Sequence, residues 1–150
     1  MKKAVLIERA EPESELWDRL IAYAENCSWS AGPYLAKMMR NDQFTDWERV
    51  FAARIGDEIA GYCTLTKKDC MPHLSYTPYI GFMFVGEPFR GRRLSQRLIQ
   101  NALDDAKALG FSTVYLTSEE RGLYEKYGFV KMKDAKDCWG NDEQIFSISI

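Results

Sequence analysis

The stretch that most constrains the fold runs from Phe82 to Ser95. Phe82-Met83-Phe84-Val85 is a short apolar run of the kind that forms a buried strand. Gly86-Glu87-Pro88-Phe89 breaks it, and Arg90-Gly91-Arg92-Arg93-Leu94-Ser95 leads into a sequence with helical spacing of its apolar residues. Three of four consecutive residues, Arg90 to Arg93, are arginines standing where a helix begins. A helix start carries partial positive charge, so cations there cost up to ~1 kcal/mol each. The same end has N–H groups without intrahelical partners, which suit an anion. A multiply charged phosphate ligand converts the misplaced arginines into ligands. The alternative is a solvated basic turn. Strand, glycine-containing turn and helix in immediate succession favour the phosphate reading. No Gly-Lys-Ser/Thr follows, and the three-glycine dinucleotide spacing is absent, so this is neither type of nucleotide loop.

At 150 residues the chain has the length of one domain. Its longest apolar runs fall far short of the ~20 residues that span a bilayer. The segment Met1 to Glu8 is too short in apolar residues for a signal peptide and reads as a first strand, which points to the cytoplasm. A net charge of −2 argues against a general nucleic-acid surface, and the basic patch at Arg90, Arg92 and Arg93 is local. Cys27, Cys63, Cys70 and Cys138 lack the Cys-x-x-Cys spacing of zinc sites, and His73 is the single histidine, so no metal is expected. Free thiols are expected in the cytoplasm. Cys63, within a strand pattern, reads as a small core residue. Cys70 with His73 is the one thiol–base combination, and no orienting partner accompanies it.

Along the chain, Glu11-Pro12-Glu13-Ser14-Glu15 opens a helix with Leu16, Leu20, Ile21 and Ala24 on its inner side, ending near Asn26. A second helix covers Tyr34 to Arg40. Trp17, Trp29 and Tyr34 make this pair aromatic-rich. Trp47 to Ile55, Ile59 to Thr66 and Tyr79 to Val85 read as three antiparallel strands, with a tight turn at Gly56-Asp57-Glu58 and a polar loop from Lys67 to Pro78. A helix from Arg93 to Leu109 ends at Gly110 in a left-handed cap. Ser112 to Thr117 is a strand that the crossover helix makes parallel to its predecessor. A short helix at Glu119 to Tyr127, a strand from Phe129, a turn at Trp139 to Asp142 and an alternating strand from Gln144 to Ile150 complete the chain.

The stretch at Arg90 resembles the acetyl-CoA signature of the GNAT acyltransferase superfamily, a strand followed by [Q/R]-x-x-G-x-[G/A] at a helix start. Arg90 matches its first position and Gly91 the glycine that often follows. Arg93 stands where the family usually has Gly, and Ser95 where it has Gly or Ala. A later block, Gly122-Leu123-Tyr124-Glu125-Lys126-Tyr127-Gly128-Phe129, is similar to the family's Leu-Tyr-Glu-Lys-x-Gly-Phe motif. The blocks lie in the expected order, and the resemblance covers the chain from about Trp47 onward.

The resemblance implies an α/β fold, a single GNAT-like domain over residues 1–150 with a mixed, mostly antiparallel twisted sheet flanked by helices. It implies acetyl-CoA as co-substrate, with pyrophosphate against the backbone from Gly91 through Arg92, Arg93 and Leu94 to Ser95, aided by the side chains of Arg90, Arg92 and Arg93. It places the pantetheine arm along the backbone of Phe84 and Val85, and makes Tyr124 the catalytic group facing the leaving sulfur. Because a Cβ makes positive φ costly, ordinary helical geometry is expected at Arg93. The general base is left open among Asp69, Glu48, Glu119 and Glu120. The expected activity is N-acetyl transfer to a primary amine of a small molecule or peptide, directly in a ternary complex. A non-catalytic acyl-CoA-binding module and an O-acyltransferase are the alternatives. No nucleic-acid or membrane partner is expected, and a homodimer is left open.

Overall fold

The computed structural model describes residues 4–69, 71 and 75–150. Its elements in chain order are β1 (Val5–Ala10), α1 (Glu15–Asn26), α2 (Gly32–Arg40), β2 (Arg49–Ile55), β3 (Glu58–Thr66), β4 (Tyr79–Val85), a 3-10 turn (Glu87–Phe89), α3 (Leu94–Ala108), β5 (Thr113–Ser118), α4 (Leu123–Lys126), β6 (Val130–Lys136) and β7 (Asp142–Ser149). The strands form one seven-stranded sheet in the order β1-β2-β3-β4-β5-β7-β6. All neighbours are antiparallel except β4 and β5, which the α3 crossover makes parallel. The expected α/β fold with a mixed, mostly antiparallel sheet is the one observed.

The helix boundaries follow local chemistry. α1 starts three residues after Pro12, because the Ser14 hydroxyl accepts the Trp17 N–H at 3.1 Å and Glu13 takes a left-handed conformation. α3 ends as expected: Gly110 has φ +98°, its N–H donates to the Lys107 carbonyl, and the Phe111 N–H donates to that of Ala106. The helix expected over Glu119 to Tyr127 shrinks to the single turn of α4. Gly122, at φ +83°, forms its N-cap and leaves Glu119 to Arg121 outside.

Two layers of helix cover the sheet. α3 buries Leu98, Ile99, Ala102, Leu103 and Ala106 on one face, against Phe51, Cys63, Leu65, Ile80, Val114, Leu116 and Phe146. Each fully buried large aliphatic contributes about 1.5–3 kcal/mol. α1 and α2 cover the other face, where Trp17, Leu20, Leu35 and Met39 meet Val50, Tyr62 and Phe84. Trp29, between these helices, stacks on Phe84 with a centroid separation of 6.1 Å and an angle of 4°. Of the aromatic residues of this helix pair, Trp17 and Trp29 are thus core packing on the sheet, whereas Tyr34 is exposed and meets Trp139.

Cys27 and Cys63 are free thiols, but Cys138 is disulfide-bonded, against the expectation of free cysteines throughout. Cys70 and His73, the thiol–base combination of the sequence, lie outside the described residues.

Candidate active site

β4 is irregular in a way that shapes everything around it. Its register against β3 runs Tyr62↔Phe84 and then Thr64↔Gly81, so β4 contains one residue more than β3 over this span. Phe82 absorbs the excess with φ +46°. The inserted residue resets the side-chain alternation. Ile80 points toward α3, whereas Phe82, two residues on, packs on the α1–α2 side. Pairing of β4 with β5 is confined to Tyr79↔Tyr115 and Ile80↔Leu116. Beyond them the two parallel strands part, and the backbone from Gly81 to Val85 has no strand beside it on that side.

The Gly86 N–H donates to the Ala60 carbonyl at 2.8 Å. Strand alternation then turns the N–H and C=O of Val85 away from β3, into the split. The Val85 carbonyl is taken by Arg90, whose Nε donates to it at 2.9 Å. Its N–H remains directed into the opening. Phe84 is buried in the core, and the same alternation turns its backbone groups toward β3 rather than into the split.

The α3 start lies just beyond. Arg93 is its N-cap, with no side-chain cap hydrogen bond, and the first backbone bond back to it comes from Arg97 at 3.2 Å. The N–H groups of Leu94, Ser95 and Gln96 thus lack intrahelical acceptors. Arg93 is left-handed, with φ 58° and ψ 31°, which corrects the expected helical geometry. That conformation costs a non-glycine residue about 1–2 kcal/mol. Such strain persists where surrounding structure imposes it, commonly at ligand sites. Gly91 is also left-handed, φ +85°, with no atom within 4 Å of where a Cβ would stand.

The side chains around this cradle divide. Arg90 folds back along β4, with its guanidinium 5.8 Å from the Phe84 ring centre and 3.4 Å from the Glu87 carboxylate. Arg92 lies over the Phe89 ring at 5.8 Å and is exposed, as is Arg93. Leu94 is buried against Ile55 and Ala60, so only its backbone faces outward. The Ser95 hydroxyl meets the Tyr127 hydroxyl at 3.1 Å, tying α3 to α4.

Tyr124 packs its ring against Tyr127, Phe129 and Phe146, while its hydroxyl hydrogen-bonds Ser118 at the end of β5. Burial pushes its pKa up to about 12, helped by Glu120, Tyr127 and Cys63 and opposed by the Ser118 bond. Cys63 is fully buried, and burial pushes its thiol well above the ordinary range. It is not a thiolate nucleophile.

The four candidate bases separate clearly. Glu48 is a structural cap: its carboxylate accepts from the Thr45 N–H and hydroxyl, both at 3.0 Å, and from the Lys67 N–H at 2.8 Å. Glu120 is exposed beyond β5. Asp69 lies at the split, where Thr117 of β5 donates its hydroxyl to Oδ2 at 2.9 Å. Glu119 lines a cavity of about 370 Å³ with Arg121, Asp134, Asp142, Glu143 and Gln144. Sequence reading overlooked Glu143. Its signal was the β7 alternation, which sets Glu143 and Ile145 on one face and the core residue Phe146 on the other. Burial raises the Glu143 pKa to about 7, with further contributions from Glu119, Asp137 and Asp69. Among the described residues no cluster of His, Cys, Asp and Glu could hold a metal.

A family model for the GNAT acetyltransferases matches residues 14–129. A sequence search of curated proteins returned no match. Among solved structures, aminoglycoside 6′-acetyltransferase type Ii is similar with a TM-score of 0.73 and 16% identity, covering 96% of each chain. A GNAT family acetyltransferase from Elizabethkingia anophelis with acetyl-CoA bound has a TM-score of 0.67 and 16% identity, over 97% of this chain and 98% of that one. A GNAT family acetyltransferase from Streptococcus pneumoniae has a TM-score of 0.66 and 20% identity, over 98% and 100%. The family match spans well over half the chain, and the split sheet with its open helix start is the corresponding architecture: the chain belongs to the GNAT acetyltransferase family, a family of acyltransferases.

Proposed function

We propose that the chain is an acetyl-CoA-dependent N-acetyltransferase that transfers acetyl to a primary amine of a small molecule or peptide, directly in a ternary complex. The observation that carries this reading is one juxtaposition. A strand with an open backbone edge leads within a few residues to a helix start with unoccupied N–H groups and three arginines. An extended thioester arm ending in a pyrophosphate has that shape and that charge. The acetyl-CoA bound in the Elizabethkingia relative and the aminoglycoside acceptor of another relative support the reading.

In this mechanism the N–H groups of Leu94, Ser95 and Gln96 hold the pyrophosphate, with Arg92 and Arg93 free to reach it. Gly91, without a Cβ, leaves the approach open. Arg90 holds the end of β4 through Val85 and is a positioning residue in this structure. The Val85 N–H faces the thioester oxygen, where a single preorganised donor contributes about 3 kcal/mol as negative charge develops. Acetyl-CoA supplies the activated acyl group and a good leaving thiolate.

Tyr124 stands as a hydrogen-bond donor to the departing sulfur. With its pKa near 12 and a thiol near ~8.5, complete proton transfer from Tyr124 is uphill by about 3.5 units, or roughly 5 kcal/mol. A neutral donor that shares its proton with the developing thiolate avoids that cost. The raised pKa therefore keeps the phenol protonated and available. Among the described residues the free thiols support direct transfer over an acyl-enzyme: Cys63 is buried and protonated, and the Cys27 thiol donates to the Ala24 carbonyl at 3.2 Å.

Calorimetric titration with acetyl-CoA, followed by thiol release in the presence of primary amines, tests the reading. Binding near 1:1 and amine-dependent thiol release are expected. Absence of binding at millimolar acetyl-CoA overturns it.

A further inference from the structure

Arg90 matches the first position of the phosphate signature, yet its side chain runs back along β4. Its Nε donates to the Val85 carbonyl at 2.9 Å, and its guanidinium lies 5.8 Å from the centre of the Phe84 ring. The side chain is 57% exposed, and a long cation at the surface keeps one geometry only when several contacts offset its lost freedom. Two of those contacts trace to the connection between α1 and α2. Ser28 donates its hydroxyl to Glu87 Oε1, and the same oxygen accepts from Arg90 Nη2 at 3.4 Å. Trp29, the next residue, stacks on the Phe84 ring that Arg90 also lies over. The connection is seated close to the turn after β4. A Cβ built on Gly86 would stand 2.7 Å from the Tyr23 hydroxyl, so glycine is what lets α1 approach there. Glu87 follows that glycine directly.

Val85 is where this arrangement meets the chemistry. The peptide between Val85 and Gly86 is held from both sides. The Gly86 N–H donates to the Ala60 carbonyl at 2.8 Å, and the Val85 carbonyl accepts from Arg90. Alternation puts the Val85 N–H on the same edge as that carbonyl. A guanidinium fixed there orders the backbone that presents the N–H. It also leaves a positive charge beside the place where the thioester oxygen becomes negative. A pyrophosphate at the α3 start competes for the same cation, because phosphate draws arginine into charge-assisted bonds. The Glu87 carboxylate stands against that pull.

Resting on the N-acetyltransferase reading, we infer that Glu87 is a positioning residue: braced by Ser28, it keeps Arg90 on the Val85 carbonyl at the thioester end of the site and out of the pyrophosphate cradle. Arg90 then serves the reaction more than it serves binding. Through one carboxylate, the placement of the first two helices reaches the backbone donor at the reacting carbonyl.

The test uses the full chain, with acetyl-CoA affinity from calorimetric titration and thiol release with phenethylamine, spermidine and kanamycin as acceptors. Glu87→Ala releases Arg90 toward the pyrophosphate. Its kcat should fall roughly tenfold as geometry at the reacting end loosens. Its acetyl-CoA binding should tighten by up to about fivefold, the range of an exposed ion pair. A residue that only stabilises the fold would lower both, and the melting temperature with them. Glu87→Gln keeps an oxygen for Ser28 and Arg90, so it should keep most of the wild-type kcat. Tightening that comes from lost negative charge alone appears in Glu87→Gln as well, so the excess in Glu87→Ala reports Arg90. Ser28→Ala should move kcat and affinity in the same two directions by smaller amounts. Arg90→Ala should lower kcat while acetyl-CoA affinity stays within about twofold. Adding Glu87→Ala to it should cost no further kcat, because the two residues act as one unit. If wild type releases thiol with none of the three amines, the N-acetyltransferase reading falls and the role of Glu87 with it. If wild type is active and Glu87→Ala keeps its kcat, or loses kcat and acetyl-CoA affinity together, the positioning role alone is overturned.

Discussion

Arg93 offers the sharpest test of how the cradle is built. It holds φ 58° and ψ 31°, is exposed, and makes no side-chain cap to α3. Left-handed geometry at a residue with a Cβ costs about 1–2 kcal/mol. Arg93→Gly removes that cost, and it also removes a cation from the positive end of α3, worth about 0.3–1 kcal/mol. Against this, glycine enlarges the conformational freedom of the unfolded chain by about 0.4–1 kcal/mol. The balance is a gain of about 1 kcal/mol, or roughly 2–4 °C in Tm for a chain of this size. Arg93→Ala is the control, since it removes the charge and keeps the Cβ. The glycine variant should therefore melt above the alanine variant, and the difference reports the backbone alone. Calorimetric titration with CoA on the same proteins separates the side chain from the cradle. A guanidinium bonded to phosphate contributes about 1.5–3 kcal/mol, so both variants then bind CoA roughly 10–100-fold more weakly. If the N–H groups carry the binding, Arg93→Gly keeps wild-type affinity. A glycine variant that melts at or below the alanine variant would refute the claim that the turn is strained.

Tyr124→Phe should lower kcat and kcat/KM together by about 10²–10⁴-fold while acetyl-CoA affinity holds, as measured by steady-state kinetics and titration. Glu143→Gln should change the pH dependence of stability. The Glu143 pKa is raised in the folded chain to about 7 from 4.5, so the folded state binds this proton more tightly. Its contribution is present in full below the unfolded value and is lost as pH rises through about 7. The variant should match wild type in Tm near pH 4 and exceed it at pH 8, as thermal melts across that range would show. Ser14→Ala removes the α1 N-cap and should cost about 1 kcal/mol in urea unfolding, leaving CoA affinity unchanged.

The succession of strand, turn and helix from Tyr79 to Ala108 was legible because its grammar is local. An apolar run, a Gly–Pro break and cations at a helix start are next to one another in sequence, and the structure keeps them so. The left-handed cap at Gly110 and the strand from Tyr79 to Val85 were legible for the same reason. Arg93 was misread because propensity argues against positive φ at arginine, whereas the turn geometry overrides it. The boundaries of α1 and α4 shifted where single residues, Ser14 and Gly122, set the cap. The β7 alternation marked the face on which Glu143 stands, but its surroundings were not legible, since its neighbours Asp69 and Glu119 come from distant parts of the chain.

The site as a whole depends on one residue whose identity announces nothing. Phe82 is an aromatic in a strand-like run, itself neither glycine nor asparagine, and yet it carries the extra residue of β4. Without that insertion, alternation would send Phe82 toward α3 along with Ile80. The aromatic contact with Trp29, at a centroid separation of 6.2 Å on the α1–α2 side, would then be lost. Burial of Phe82 between α1, α2 and the sheet thus supplies the free energy that holds the bulge. The bulge in turn bends β4 away from β5 just past Ile80 and Leu116. The split then has two sides with different chemistry. One leads to the backbone donors of Val85 and the α3 start, the other to Asp69, Thr64 and Tyr79. The packing of Trp29 on Phe82 and Phe84 thus ties the first two helices to the strand segment that borders the opening.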